Sequence, residues 1–258
     1  MPVTLLFGEG PQDVTAMAKI LLEDGFTKVT EKSKIAKLSC APAFAFTAPN
    51  NPDFYLVRDT LVLFLTKGTR EVVVACSKGG SVKGFVKAFR AIFSIPRIAW
   101  DALGMVLDVD TTKSVQTVYA ELKTELAAFG LNFPLPATAG TVDVGPPKRG
   151  AFLLPNNKAS STLEDVLLEA SRKVYPKATA DAQTYVGTHA NSSEFANTKL
   201  GGILGPVGPK KATLAVVSSI IHPGLPVEVT IEKSQLISAA TMKEPLLAGL
   251  TSFVRALV

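Results

Sequence analysis

Apolar residues fall in short runs that switch between two spacings along the chain. "VTLLF", 3–7, is unbroken and of the length of a buried strand. "GEGPQDV" interrupts it. Val14, Met17, Ala18, Leu21 and Leu22 then recur at helical steps until Gly25, so the opening predicts strand, tight loop and helix. Residues 29–60 alternate around Phe44 and Phe46 among three prolines, predicting a short strand and a loop. "TLVLFLTKGTREVVVACS" predicts two strands, 60–66 and 71–76, around the turn "KGTR".

Val82, Phe85, Val86, Phe89, Ile92 and Phe93 mark one face of a helix that ends before Pro96, with Lys83, Lys87 and Arg90 on the other face. "ALGMVLDVD" is the next strand. A helix follows with Val115, Val118, Leu122, Leu126 and Phe129 inward and Gly130 at its end. Residues 131–149, rich in Pro and Gly, predict a loop with one short strand around Val142 and Val144. "AFLLP", 151–155, is another buried strand. Thr162 is placed to cap a helix with Glu164 and Asp165 in its first turn, where the dipole favours negative charge. Residues 176–258 read as mixed, with a glycine-rich turn region, "TKLGGILGPVGP", and a C-terminal helix over "LLAGLTSFVRALV".

Strand and helix alternate over the first 130 residues, which predicts an α/β fold with a mostly parallel, Rossmann-like sheet flanked by helices. No internal repeat or domain boundary interrupts the chain. It reads as one domain, 1–258, with a core of about 1–175 and a C-terminal elaboration of about 176–258. In such sheets ligand groups gather at the carboxyl ends of the strands.

Composition narrows the class. With 47% apolar and 19% charged residues among 258, the chain has enough core to fold on its own. The net charge of +5 is compatible with phosphate-bearing partners. Cys40 and Cys76 have no ligand spacing and read as reduced, partly buried thiols, although the spacing leaves a disulfide open. "MPVTLLFGEG" has no basic lead-in, and its apolar run is far below the ~18 to 20 residues that span a bilayer. The expectation is a cytoplasmic protein outside the membrane. Oligomeric state is left open, a homo-oligomer included.

The candidate chemistry is acidic. Asp108 and Asp110 close the strand "MVLDVD". In extended backbone they point to the same side, about 6 to 7 Å apart, and can share a hard divalent cation with its waters. The alternative is a solvated turn in which Asp110 caps the next helix. Glu9, flanked by glycines after the first strand, is a third carboxylate at the same sheet edge, suited to metal binding or proton transfer. Asp13 is either an accessory group or a first-turn helix acid. Glu164 and Asp165 are accessory candidates or plain capping residues, and Lys158 is a phosphate contact or an ordinary loop lysine. Lys78, Lys83, Lys87 and Lys113 are candidates for nucleic-acid backbone contacts or parts of solvated faces. His189 and His222 lack zinc spacing. No GxSxG, CxxC, GxxxxGK[ST] or HExxH occurs, and "GGSVKG" lacks dinucleotide spacing, so nicotinamide and ATP-loop enzymes are disfavoured.

The order of these pieces resembles the Toprim domain of topoisomerases, primases and nucleases of the overcoming-lysogenisation-defect type. "LLFGEGPQDV" is similar to the "LVEGKDD" opening of an uncharacterised Toprim-like bacterial and archaeal family. "GMVLDVD" is similar to its "GIVVDAD", and "GAFLLPNNKASSTLEDVLLEA" to its "PDN" and "LED" segment. The resemblance implies Mg (or Mn) held by Asp108, Asp110 and Glu9, with these three as catalytic residues in nuclease-like phosphodiester chemistry on DNA or RNA. Pro11 and Gln12 depart from the family's Lys and first Asp, and Asn156 stands where relatives carry an Asp. A non-catalytic metal-, nucleotide- or nucleic-acid-binding module and a protein-interaction component remain alternatives.

Overall fold

The computed structural model describes residues 2–40, 55–57, 60–77, 80–95, 98–109, 112–131, 134–190, 205 and 207–258. The expected strand around Phe44 and Phe46, and most of the glycine-rich stretch after Thr198, lie outside the described residues.

Among the described residues, eight strands form one mixed sheet: β1 (Val3–Gly8), β2 (Thr27–Lys28), β3 (Tyr55–Val57), β4 (Thr60–Lys67), β5 (Arg70–Cys76), β6 (Trp100–Asp108), β7 (Val142–Asp143) and β8 (Lys148–Leu154). The order is β2-β4-β5-β1-β6-β8-β7, with β3 also on β4. The four central strands β5, β1, β6 and β8 are parallel. The flanking pairs are antiparallel, including the tight β4–β5 hairpin. Thus the protein has an α/β, Rossmann-like fold with a parallel centre. The short loop between β4 and β5 is what makes that pair antiparallel, since a parallel pair needs a crossover.

Period-2 alternation in β1 sorts the two layers. Val3, Leu5 and Phe7 face α3 (Val82–Phe93) and α4 (Val115–Ala128). Phe7 meets the rings of Phe85 and Phe89 edge-on at 5.0 and 5.6 Å. Leu6 faces the other layer, built from α1 (Pro11–Glu23), α5 (Leu163–Val174), α7 (Gly208–Ile221), α8 (Val227–Lys233) and α9 (Pro245–Leu257). A short α2 (Lys32–Ile35) closes one edge of the first layer, and α6 (Pro176–Ala190) packs against α5 and α7. The part after residue 176, expected to be mixed, is helical wherever it forms regular structure among the described residues. No described helix is long and apolar enough to cross a membrane.

The helix α9 lies close over the sheet because Gly104 has no side chain. A Cβ there would come within 2.3 Å of Leu257 and 3.0 Å of Leu6. Gly104→Ala is therefore expected to destabilise the fold by roughly 1–3 kcal/mol through overpacking. A lowered urea midpoint with an unchanged slope is the measurement that checks this.

Cys40 and Cys76 are both free and buried, in opposite layers of the sheet. Burial pushes each thiol up to about 12, with Glu71 adding to Cys40 and Asp13 to Cys76. Both are unreactive as nucleophiles near neutral pH.

Candidate metal site

The carboxyl ends of β1 and β6 and the N-termini of α1 and α5 meet at one edge of the sheet. Gly8 permits this convergence, because a Cβ there would lie 2.6 Å from that of Asp13. The chain folds straight back into α1, and Asp13 Oδ2 accepts the backbone N–H groups of Glu9 (3.0 Å) and Gly10 (2.7 Å). Glu9 follows β1 and its Oε2 accepts the N–H of Asp108 at 3.3 Å. Asp108 Oδ1 accepts the N–H of Leu163 at 2.9 Å, tying the end of β6 to the first turn of α5. That tie places Glu164, the next residue, beside the other acids.

Four carboxylates from distant parts of the chain thus share one edge, and Glu9, Asp13, Asp108 and Glu164 all line a cavity of about 440 Å³. Burial raises the pKa of Asp13 to about 7, the charges of Glu9 and Glu164 add to it, and the N–H groups of Gly10 and Glu9 oppose it. Asp108 is likewise pushed well up, first by burial and then by Asp13, Glu164 and Glu9, against the N–H of Leu163. The Glu164 side chain is 7% exposed, and its Oε2 has no hydrogen-bond partner among the described residues. Its Oε1 is 3.9 Å from Lys211 Nζ, a side chain 63% exposed and hence a weak compensating charge.

An uncompensated buried carboxylate oxygen is costly. A divalent cation bound there would offset that cost. The oxygen-only donors suit Mg²⁺ or Mn²⁺, and Mg²⁺ keeps most of its waters and takes one or two carboxylates directly. Among the described residues, no group of three or more His, Cys, Asp or Glu is arranged to hold a metal ion. An ion held here would therefore rest on one or two carboxylates and keep most of its waters.

The other expected residues fall elsewhere. Asp110 and Lys78 lie outside the described residues. Asp165 does not line the cavity; it pairs with Lys210 at 2.8 Å, and Lys210 also reaches Ser161 Oγ at 2.9 Å. Lys158 is exposed in a turn where Asn156 Oδ1 accepts its N–H. Lys83 and Lys87 are exposed on α3. Lys113 pairs with Glu121 at 2.6 Å and lines a smaller cavity of about 50 Å³, which Glu9 and Asp108 also border. His189 lies by Tyr185, and His222 Nδ1 is 3.3 Å from Thr230 Oγ1; neither borders these two cavities.

Sequence reasoning missed the opposite wall of the large cavity: Lys211, Leu214 and Ala215 from α7 and Val227 and Glu228 from α8. One signal for it was present. Lys210 and Lys211 stand in the first turn of α7, where the helix dipole disfavours cations. Lys210 is held there by Asp165, and Lys211 faces Glu164 across the gap.

Comparison with known proteins adds the family and the fold. No curated protein matches the chain. The crystal structure of a hypothetical protein from Pyrococcus horikoshii OT3 is similar in fold, with a TM-score of 0.58 and 16% identity, covering 99% of this chain and 100% of that one. Residues 3–245 match the family described as "Protein of unknown function (DUF3226)", and the chain belongs to that family.

Proposed function

We propose that this edge binds Mg²⁺ or Mn²⁺ and carries out phosphodiester chemistry on nucleic acid. The observation that carries the reading is the cluster of four carboxylates around a cavity, with one buried Glu164 oxygen left without a partner among the described residues. Asp108 and Glu164 would hold the ion directly, and Glu9, with Asp110 as the sequence suggests, would reach it through its waters. Asp13 fixes the loop that carries Glu9 by accepting two backbone N–H groups. A bound divalent ion would supply charge stabilisation at a phosphoryl oxygen. Glu9, beside Asp108, is suited to move a proton at the attacking or leaving oxygen. Lys211 is placed to orient a phosphate at the mouth of the cavity. The resemblance to Toprim domains supports the same assignment. A cytoplasmic location goes with it, since both thiols are free.

Isothermal titration of the metal-free protein with MgCl2 tests the first step. Saturable binding, together with cleavage of labelled DNA or RNA that stops on adding EDTA, is the expected result. Cleavage indifferent to EDTA, or no uptake of Mg²⁺ at millimolar concentration, would sink the reading.

A second reading is a binding module without turnover. It is favoured by Asp13 and Asp108, each of which spends one oxygen on backbone N–H groups and so has less capacity for metal. Saturable Mg²⁺ uptake without cleavage of any tested strand is its signature.

A further inference from the structure

The shape of the cavity bears on what reaches the acids, an inference that rests on the metal reading above. Asp13 and Glu164 are 6% and 5% exposed, so these carboxylates lie below the protein surface. Across the gap stands a second wall, with Leu214, Ala215 and Val227 as an apolar patch and Lys211 at its rim. The cavity volume of about 440 Å³ lies in the range of small-molecule sites, ~300 to 1,000 Å³. A duplex needs a different surface: its interfaces bury about 1,000 to 2,500 Å² of protein. Its phosphates lie along a rigid rod and meet groups that protrude, not groups recessed behind two helices. The lining is divided in the way a nucleotide is: Lys211 is a cation for its phosphate, and the apolar patch is a surface for its sugar and base. Glu164, which has a buried oxygen without a partner among the described residues, lines the same space and would help to hold a cation there.

We infer that the site takes a single nucleotide unit, as a free nucleotide or as the terminus of a strand, and excludes the interior of an intact duplex. The discriminating experiment is equilibrium binding in Mg²⁺ of three probes: thymidine 5′-monophosphate, a 5′-phosphorylated linear oligonucleotide and a covalently closed circular duplex. The first two are expected to bind at least about tenfold more tightly than the circle. Whichever of those two binds more tightly identifies the natural source.

Ala215 is exposed on α7, so Ala215→Trp fills the cavity without entering the core. It is expected to weaken both nucleotide probes about tenfold and leave Mg²⁺ binding in place. Lys211→Gln, on an exposed side chain, gives effects of opposite sign. Mg²⁺ binds more tightly once a neighbouring cation is gone, and the nucleotide phosphate binds more weakly. Equal affinity for the closed circle and the ended probes overturns the inference, as does nucleotide binding that neither variant changes. Absence of Mg²⁺ uptake by the wild-type protein is a separate result, which overturns the metal reading itself.

Discussion

Asp108→Asn and Glu164→Gln are expected to abolish function while making the metal-free protein more stable. Each exchange keeps the size of the side chain and removes one negative charge from a group of four, of which Asp13 and Glu164 are buried. The amide introduced by Asp108→Asn would still offer its carbonyl oxygen to the N–H of Leu163, so the tie between β6 and α5 survives. The amide introduced by Glu164→Gln would bring hydrogen-bond donors to a place where an acceptor now has no partner among the described residues. Relief of like-charge repulsion in a buried site is expected to raise stability by roughly 1–2 kcal/mol for either variant at pH 8 without metal. On the proposed reading activity moves the other way, because an amide is a poor ligand for Mg²⁺. Any Mg²⁺-dependent cleavage is expected to fall on the order of 100-fold or more. A conflict between stability and activity of this kind is common where a site holds strained charge. Urea denaturation with EDTA and a parallel cleavage assay read the two effects. Variants less stable than wild type by this measure, yet fully active, would show that the carboxylates serve the fold alone.

The metal-free protein is also expected to become less stable as the pH rises from about 4 to 7. Unfolded, Asp13 titrates near its ordinary value of 3.8; folded, it is pushed up to about 7 by burial and by Glu9 and Glu164. Between those values the folded chain binds the proton that the unfolded chain has released. Stability is therefore greater at the acid end of the window and is lost as the pH passes the folded value. Taken alone, a shift from 3.8 to about 7 corresponds to about 4 kcal/mol. Asp108 shifts in the same direction and adds to the loss. On the proposed metal reading, saturating Mg²⁺ is expected to weaken the dependence, since a bound ion would stabilise the ionised carboxylates of the folded chain. The check is a set of urea midpoints between pH 5 and 8 in EDTA and again in MgCl2. A midpoint that is flat or rising with pH in EDTA would contradict the proposed crowding of charge.

Much of the framework was legible in the chain because its signals are local. The apolar run of β1, the stop at Gly25 with its φ of +84°, and the period of α3 each depend on residues within one or two turns. Glu9 and Asp108 were legible for the same reason, since a polar group ending a buried strand marks the sheet edge. Asp13 and Glu164 were harder. Both sit in first helical turns, where an acid is ordinary, and their neighbours in sequence do not reveal that the two helices start side by side. Asp165 shows the converse: adjacent to Glu164 in the same helical turn, it turns to Lys210 instead.

The bare chain was enough to mark most of the strands and helices, to assign them to an α/β protein, and to put acids at the ends of two central strands. Periodicity and turn chemistry are short-range, and a single chain displays them in full. It took the folded molecule to reveal that four acids line one cavity, that α7 and α8 wall them in, and that two lysines defy the dipole of α7, Lys210 to meet Asp165 and Lys211 to face Glu164. These outcomes depend on contacts between distant residues, such as Asp108 with Glu9, 99 positions apart, and Lys210 with Asp165, 45 apart. Such contacts form because burying the apolar faces of the sheet and helices brings those ends together, and the charges at the edge must accept the company that packing imposes.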